Sequence, residues 1–242
     1  MSPLIITGTD TGVGKTLVSA LLLARMKASH RSARGFKPIA TGDREDARWL
    51  HHAQGLGVTD LDTINPVWFE PPMAPMLAAR LVGRPLYLEE LLGELAHSIA
   101  LQPDAITLIE GAGGWLSPLG EDFSTRELCE GVEGDVLVVG ANRLGVLNGV
   151  RLTVESVHAS RLRCAGIILS DPAPEAGFTA DNAAVLKSFF PQVPVWTLPF
   201  LGSGLRPEKV HELAERHRDL LDDVLRGLLD RAGIGNKVIV QR

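Results

Sequence analysis

The chain has 242 residues, of which 45% are hydrophobic, and it carries 25 Gly, 15 Pro and 24 basic against 29 acidic side chains. That balance describes a globular chain able to bury a sizeable core and excludes a fibre, a disordered tail or a membrane-embedded protein. A net charge of −5, with no two Lys or Arg adjacent, offers no grip for a nucleic-acid backbone or an anionic membrane, so neither is expected as a partner.

Met1 leads straight into a short apolar run with no basic flank and no long apolar core, so a secretory signal is not expected and the cytoplasm is the expected location. No uncharged apolar stretch approaches the roughly 18 to 20 residues that a membrane span needs. Cys129 and Cys164 are too few for a disulfide framework and lack metal-ligand spacing, so both are expected as reduced packing residues.

Strand-like runs at 4–7, 33–38, 105–110, 135–140, 166–170 and 193–197 alternate with segments of helical period at 15–28, 88–100, 146–159, 180–189 and 207–229. Such alternation predicts βαβ units: a single α/β domain over 1–242, doubly wound around a mostly parallel sheet, and the phosphate-loop motif below makes the expected architecture that of P-loop NTPases. The continuous apolar run 136–139 and the nearly continuous run 106–109 are the patterns of strands covered on both faces, so these two should lie centrally. Residues 43–85 are less regular; Asp46 opens a helix holding Trp49 and Leu50, and the Pro71, Pro72 and Pro75 cluster reads as a loop followed by a short helix. Residues 233–242 are expected to be a mobile tail or an added edge strand.

Three motifs carry chemistry. Gly8-Thr9-Asp10-Thr11-Gly12-Val13-Gly14-Lys15-Thr16 follows the first strand and opens the first helix. Small residues let backbone N–H groups converge on phosphate oxygens, the helix N-terminus adds positive potential, Lys15 reaches the outer phosphates and Thr16 offers a hydroxyl to magnesium. Gly8 and Gly14 bracket five residues, one more than the usual loop. At the end of the second strand Lys37, in Gly35-Phe36-Lys37-Pro38-Ile39-Ala40-Thr41-Gly42, should face the same phosphates together with Thr41, because strand C-termini line the crevice of an open parallel sheet. In Glu110-Gly111-Ala112-Gly113-Gly114-Trp115 a carboxylate ends an apolar strand, and Glu110 with Thr16 forms the oxygen set that magnesium prefers; Asp46 is a further candidate ligand. His51 and His52 have no metal-spaced partners and read as surface residues.

Taken together, the three motifs resemble dethiobiotin synthetases, a resemblance that runs in order through most of the chain, includes Leu144-Gly145-Val146-Leu147-Asn148 after the fourth strand, and fades after about Pro199. The resemblance implies an ATP- and Mg2+-dependent ligase that closes the ureido ring of dethiobiotin from 7,8-diaminononanoate and CO2, through a carbamate and a carbamic-phosphoric anhydride. It implies that Gly12, Val13, Gly14, Lys15, Thr16 and Leu17 hold phosphates, that Thr16, Asp46 and Glu110 hold magnesium, and that Lys15 and Lys37 act on the transferring phosphoryl group. Gly111, Ala112 and Gly113 complete the nucleotide site, while Thr11, Lys37, Thr41 and Gly113 meet the substrate. In the homodimer that the resemblance implies, Leu147 and Asn148 receive the substrate carboxylate from the neighbouring protomer. Ser170 and Asp171 fall where relatives read adenine with Asn-Asp; Ser lacks the amide that both donates and accepts, which leaves nucleotide preference open. Pro199, Phe200 and Leu201 would wall the base and Glu208 would lie near the ribose. The alternative is a regulatory ATPase of the partitioning or septum-placement type, which carries a Lys early in the loop where this chain has Asp10.

Overall fold

A computed structural model describes residues 2–55, 61–174 and 181–231, apart from the side chains of 230 and 231. Its centre is a six-stranded sheet of β1 (Leu4–Gly8), β2 (Ala33–Phe36), β5 (Ile106–Glu110), β6 (Asp135–Ala141), β7 (Cys164–Ser170) and β8 (Val195–Leu198), in the order β2-β5-β1-β6-β7-β8. Every pairing in it is parallel. The two strands read as two-face-covered, β5 and β6, are interior. Alternation along them makes the two cores: Val136 and Val138 pack on one face with Ile5, whereas Leu137 and Val139 pack on the other with Ile6.

Helices cover both faces. α1 (Lys15–Ala28), α2 (Glu45–Gln54), α8 (Val210–Arg216) and α9 (Arg218–Arg231) bury their apolar residues with Ile6 and Leu137. On the opposite face lie α3 (Pro75–Leu81), α4 (Leu88–Ala100), α5 (Thr125–Gly131), α6 (Val146–Ala159) and α7 (Asn182–Phe189). α1, α4 and α6 have the bounds that periodicity gives.

Four differences from the sequence expectation stand out. The segment 207–229 is not one helix: a 3-10 turn at Pro207–Lys209 leads into α8, the chain breaks at His217 (φ −109°, ψ 23°), and α9 follows. No Pro or Gly marks the break; it lets α8 lie on α1 and α2 while α9 reaches α1 and β7. β2 ends before Lys37, because Pro38 has no N–H to donate, and the Lys37 N–H bonds instead to the Ile64 carbonyl at 2.9 Å. Beyond it, β3 (Ile39–Thr41) and β4 (Val67–Phe69) form a separate parallel pair that the irregular sequence of this region does not announce. α5 is the fourth, although its capping box is explicit: Ser124 and Glu127 bond reciprocally to each other's backbone ends of the first turn. The tail 233–242 and the first residue of the expected helix 180–189 lie outside the described residues. Among the described residues no helix is long and apolar enough to cross a membrane.

The two thiols are buried, Cys129 donating to the Gly134 carbonyl at 3.3 Å and Cys164 to that of Gly166 at 3.6 Å. Burial pushes both up to about 12 from an ordinary 9.0. A raised thiol favours the folded protein fully below pH 9.0, and that contribution is lost as pH climbs through 12. At pH 8 neither thiol should react with a disulfide reagent until the chain unfolds; rapid modification of native protein would contradict this packing.

Candidate functional site

The loops at the C-terminal ends of β1, β2 and β5 border a cleft of about 820 Å³. Thr11, Gly12, Gly14, Lys15, Thr16, Leu17, Lys37, Thr41, Asp46, Ala112 and Gly113, all named from sequence, line it. Val13 instead turns into the core, 3% exposed.

The first-turn amides of α1 are available to a ligand because its cap is Gly14, which has no side chain to satisfy them. Gly14 sits at φ 98°, and an added Cβ would meet Ser170 Oγ at 2.9 Å, so both conformation and space require glycine here. Lys15 folds back over the loop, its Nζ donating to the Asp10 carbonyl at 2.8 Å. Burial, aided by Lys37, lowers its pKa to about 8 against the opposing pull of Glu110, Asp46 and Asp10.

Lys37 and the carboxylates form one cluster with Thr16. Lys37 Nζ lies 2.7 Å from Asp46 Oδ2, 2.8 Å from Glu110 Oε1 and 3.0 Å from the Gly111 carbonyl. Thr16 Oγ1 lies 2.6 Å from Asp46 Oδ1 and 2.8 Å from Glu110 Oε1, so its single proton serves two carboxylates in turn. Burial works to lower Lys37, yet Glu110 and Asp46 outweigh it and hold the ammonium above its ordinary range. Asp46 shows the converse: burial works to raise it, and Lys37 with Thr16 brings it below the usual carboxylate range.

Glu110 Oε2 is buried with no partner among the described residues. An orphaned carboxylate oxygen is costly unless it has a ligand, and here it belongs to a set of two carboxylates and a hydroxyl. Hard oxygen donors in that small number fit Mg2+, which keeps several waters and takes the rest of its shell from phosphate. No cluster of three or more His, Cys, Asp or Glu side chains suited to a metal occurs among the described residues.

Other sequence-named residues fall elsewhere. Ser170 abuts Gly14 at the loop's flank. Asp171 accepts at 2.7 Å from Asn142, itself buried and accepting at 2.9 Å from Asn182. Pro199, Phe200, Leu201 and Glu208 do not line the cleft; Glu208 pairs loosely with His52 at 4.0 Å, and Leu205 from the same region reaches the cleft instead. Leu147 and Asn148 also lie outside it, in the first turn of α6, whose cap is Gly145.

The structure adds lining that the motifs did not reveal: Trp49, Met73 between Pro72 and Pro75, and Ser117 with Pro118. It also adds Asn65, fully buried, whose amide donates to the carbonyls of Lys37 at 2.8 Å and Val67 at 2.9 Å while Arg44 donates to its oxygen. Asn65 thus fixes the backbone from which Lys37 reaches the cluster. The Pro72 and Pro75 pair was the one visible signal of a special loop; nothing local distinguishes Asn65.

The family model described as an AAA domain matches residues 2–203. The chain is 35% identical over 231 residues to a protein named ATP-dependent dethiobiotin synthetase BioD from Chromohalobacter salexigens, covering 89% of this chain and 97% of that one. A protein of the same name from Phenylobacterium zucineum is 35% identical over 229 residues, covering 90% and 97%. Among solved structures, the septum site-determining protein MinD complexed with Mg-ADP from Pyrococcus horikoshii superposes with a TM-score of 0.55 at 16% identity, over 98% of this chain and all of that one, which is a likeness of fold.

Two substitutions probe this geometry. Gly14→Ala forces a left-handed alanine against Ser170, at about 1–2 kcal/mol for the conformation alone, and should abolish detectable nucleotide binding in calorimetry; retained affinity would contradict the loop shape. Asn65→Leu strands two buried carbonyls and should lower stability by about 1–3 kcal/mol in urea unfolding, against no change if those bonds are idle.

Proposed function

The chain belongs to the family of ATP-dependent dethiobiotin synthetases, and from that premise we propose that it makes dethiobiotin from 7,8-diaminononanoate, CO2 and ATP, releasing ADP and phosphate as a cytoplasmic homodimer. The observation that carries the reading is the convergence of Lys15, Lys37, Thr16, Asp46 and Glu110 about one cleft at the strand ends.

In this reading one amine of the substrate takes up CO2 and loses a proton, giving a carbamate. A carbamate oxygen attacks the γ phosphorus as the bond to the bridging oxygen breaks, yielding a carbamic-phosphoric anhydride and ADP. The second amine attacks the carbonyl carbon, the C–O bond to phosphate breaks, and the ring closes with loss of a second proton. Because the nucleophile is already anionic, the step depends on positioned cations more than on a side-chain base. Lys15 and Lys37 supply them, with Gly12, Val13, Gly14, Thr16 and Leu17 holding the phosphates through the loop and helix start. Magnesium, held by Thr16, Asp46 and Glu110, would neutralise charge on the phosphate oxygens.

Thr11, Thr41 and Gly113 face the same hollow and are assigned to the diamine; Ala112 lines it too, and Gly111, whose carbonyl accepts from Lys37, is assigned with it to the phosphates. Leu147 and Asn148, outside this cleft, suit the substrate carboxylate of a neighbouring protomer, since helix amides favour an anion. Ser170 and Asp171 lie on the loop's flank where a nucleobase would sit, and Pro199, Phe200, Leu201 and Glu208 are assigned to the base and ribose on resemblance.

The test is to incubate purified protein with the diamine, bicarbonate, Mg2+ and each nucleoside triphosphate in turn, and to follow dethiobiotin by mass spectrometry. Product is expected, and Lys37→Ala should keep nucleotide binding while losing turnover by about a hundredfold or more. Nucleotide hydrolysis that is equal with and without diamine, with no ring product, overturns the assignment.

A further inference from the structure

Lys37 lies where its mechanistic task does not require it to be. Its side chain is 3% exposed, and the ammonium occupies an oxygen of each carboxylate named for magnesium, Asp46 Oδ2 and Glu110 Oε1. The Thr16 hydroxyl is held between the same two groups, and Glu110 Oε2, which has no partner among the described residues, belongs to the carboxylate that Lys37 already engages through Oε1. A cation binding to these oxygens therefore meets an ammonium already among them, and two positive charges cannot share so few donors without strong repulsion.

We propose that Lys37 is the exchangeable internal counterion of the Asp46–Glu110 pair: a divalent cation entering the cluster displaces its ammonium, which swings into the cleft it already lines and is thereby delivered to the transferring phosphoryl group. The inference rests on the phosphoryl-transfer reading for the purpose of the swing, though not for the exchange itself. Charge arithmetic supports it. Without a metal, two carboxylates and Lys37 sum to −1, which nearby Lys15 offsets in part; with Lys37 absent and no metal they would leave −2, on a fully buried Glu110 and a partly exposed Asp46. Exchanging the ammonium for a divalent ion brings the cluster to neutrality and frees the lysine. The anchor that remains, the Gly111 carbonyl at 3.0 Å, lies at the start of the glycine loop bordering the same hollow. The cation thus both completes its own site and arms the second one, so that Lys37 is kept off the phosphates until the metal has entered.

The exchange is tested without diamine or nucleotide, so its failure is separable from failure of the ring-closing assignment. Mn2+ is titrated into wild-type protein and Lys37→Gln while binding is followed by calorimetry, and acetylation of Lys37 in wild-type protein by an activated acetyl ester is followed by peptide mass spectrometry with and without Mn2+. Lys37→Gln, relieved of its competitor, should bind Mn2+ about tenfold more tightly, and Mn2+ should raise the Lys37 acetylation rate in the wild type several-fold. The labelling arm needs no variant and stands if Lys37→Gln fails to fold. An affinity unchanged or weakened by the substitution, or an acetylation rate that Mn2+ leaves unchanged, overturns the exchange.

Discussion

The ion pair between Lys37 and Glu110 is the constraint around which the site is assembled. A carboxylate with a fully buried side chain at the end of a central strand would be prohibitively costly alone, and an ammonium buried without such a partner would lose its proton. Each makes the other tolerable, and Asp46 and Thr16 close the set. Four elements are tied by it: the strand end of β5, the segment after β2, the first turn of α2 and the first turn of α1. Because every member must be in place for any to be satisfied, the arrangement is specified by mutual need rather than by the local sequence at any one position.

What the sequence made legible follows from that distinction. α1, α4 and α6 could be bounded to the residue because periodicity and helix-start chemistry are local, and all six sheet strands were visible as apolar runs between turn signals. The break at His217 was not, since it reflects where α8 and α9 must pack and leaves no Pro or Gly behind. β3 and β4 were missed for a like reason: three residues each, paired across a long separation and held together through Asn65. Around the cleft, the contiguous loop motif announced itself, whereas Trp49, Met73, Ser117 and Leu205 come from four separate stretches and meet only on folding. Positions 199–201 and 208 lie outside this cleft, and Leu205, between them, reaches it.

The sheet and its flanking helices are shared with proteins at 16% identity, so architecture alone says little about chemistry. The distinguishing features sit on the strand ends. Asp171 illustrates this, its carboxylate engaged by Asn142 and Asn142 in turn by Asn182. That chain of side chains holds the Asp171 carboxylate in place at the end of β7, next to Ser170, against which Gly14 of the phosphate loop packs.

α1 has one further consequence. Nine of its side chains are buried, from Lys15 to Met26, and it touches α2, α8, α9 and β2, so the helix that presents the phosphate loop is also the central beam of one hydrophobic core. A ligand clamped on its first turn therefore braces the interior as a whole: occupancy becomes a term in the global unfolding equilibrium, growing logarithmically with ligand concentration, and the cell's triphosphate pool acts as a standing reservoir of conformational stability for the chain.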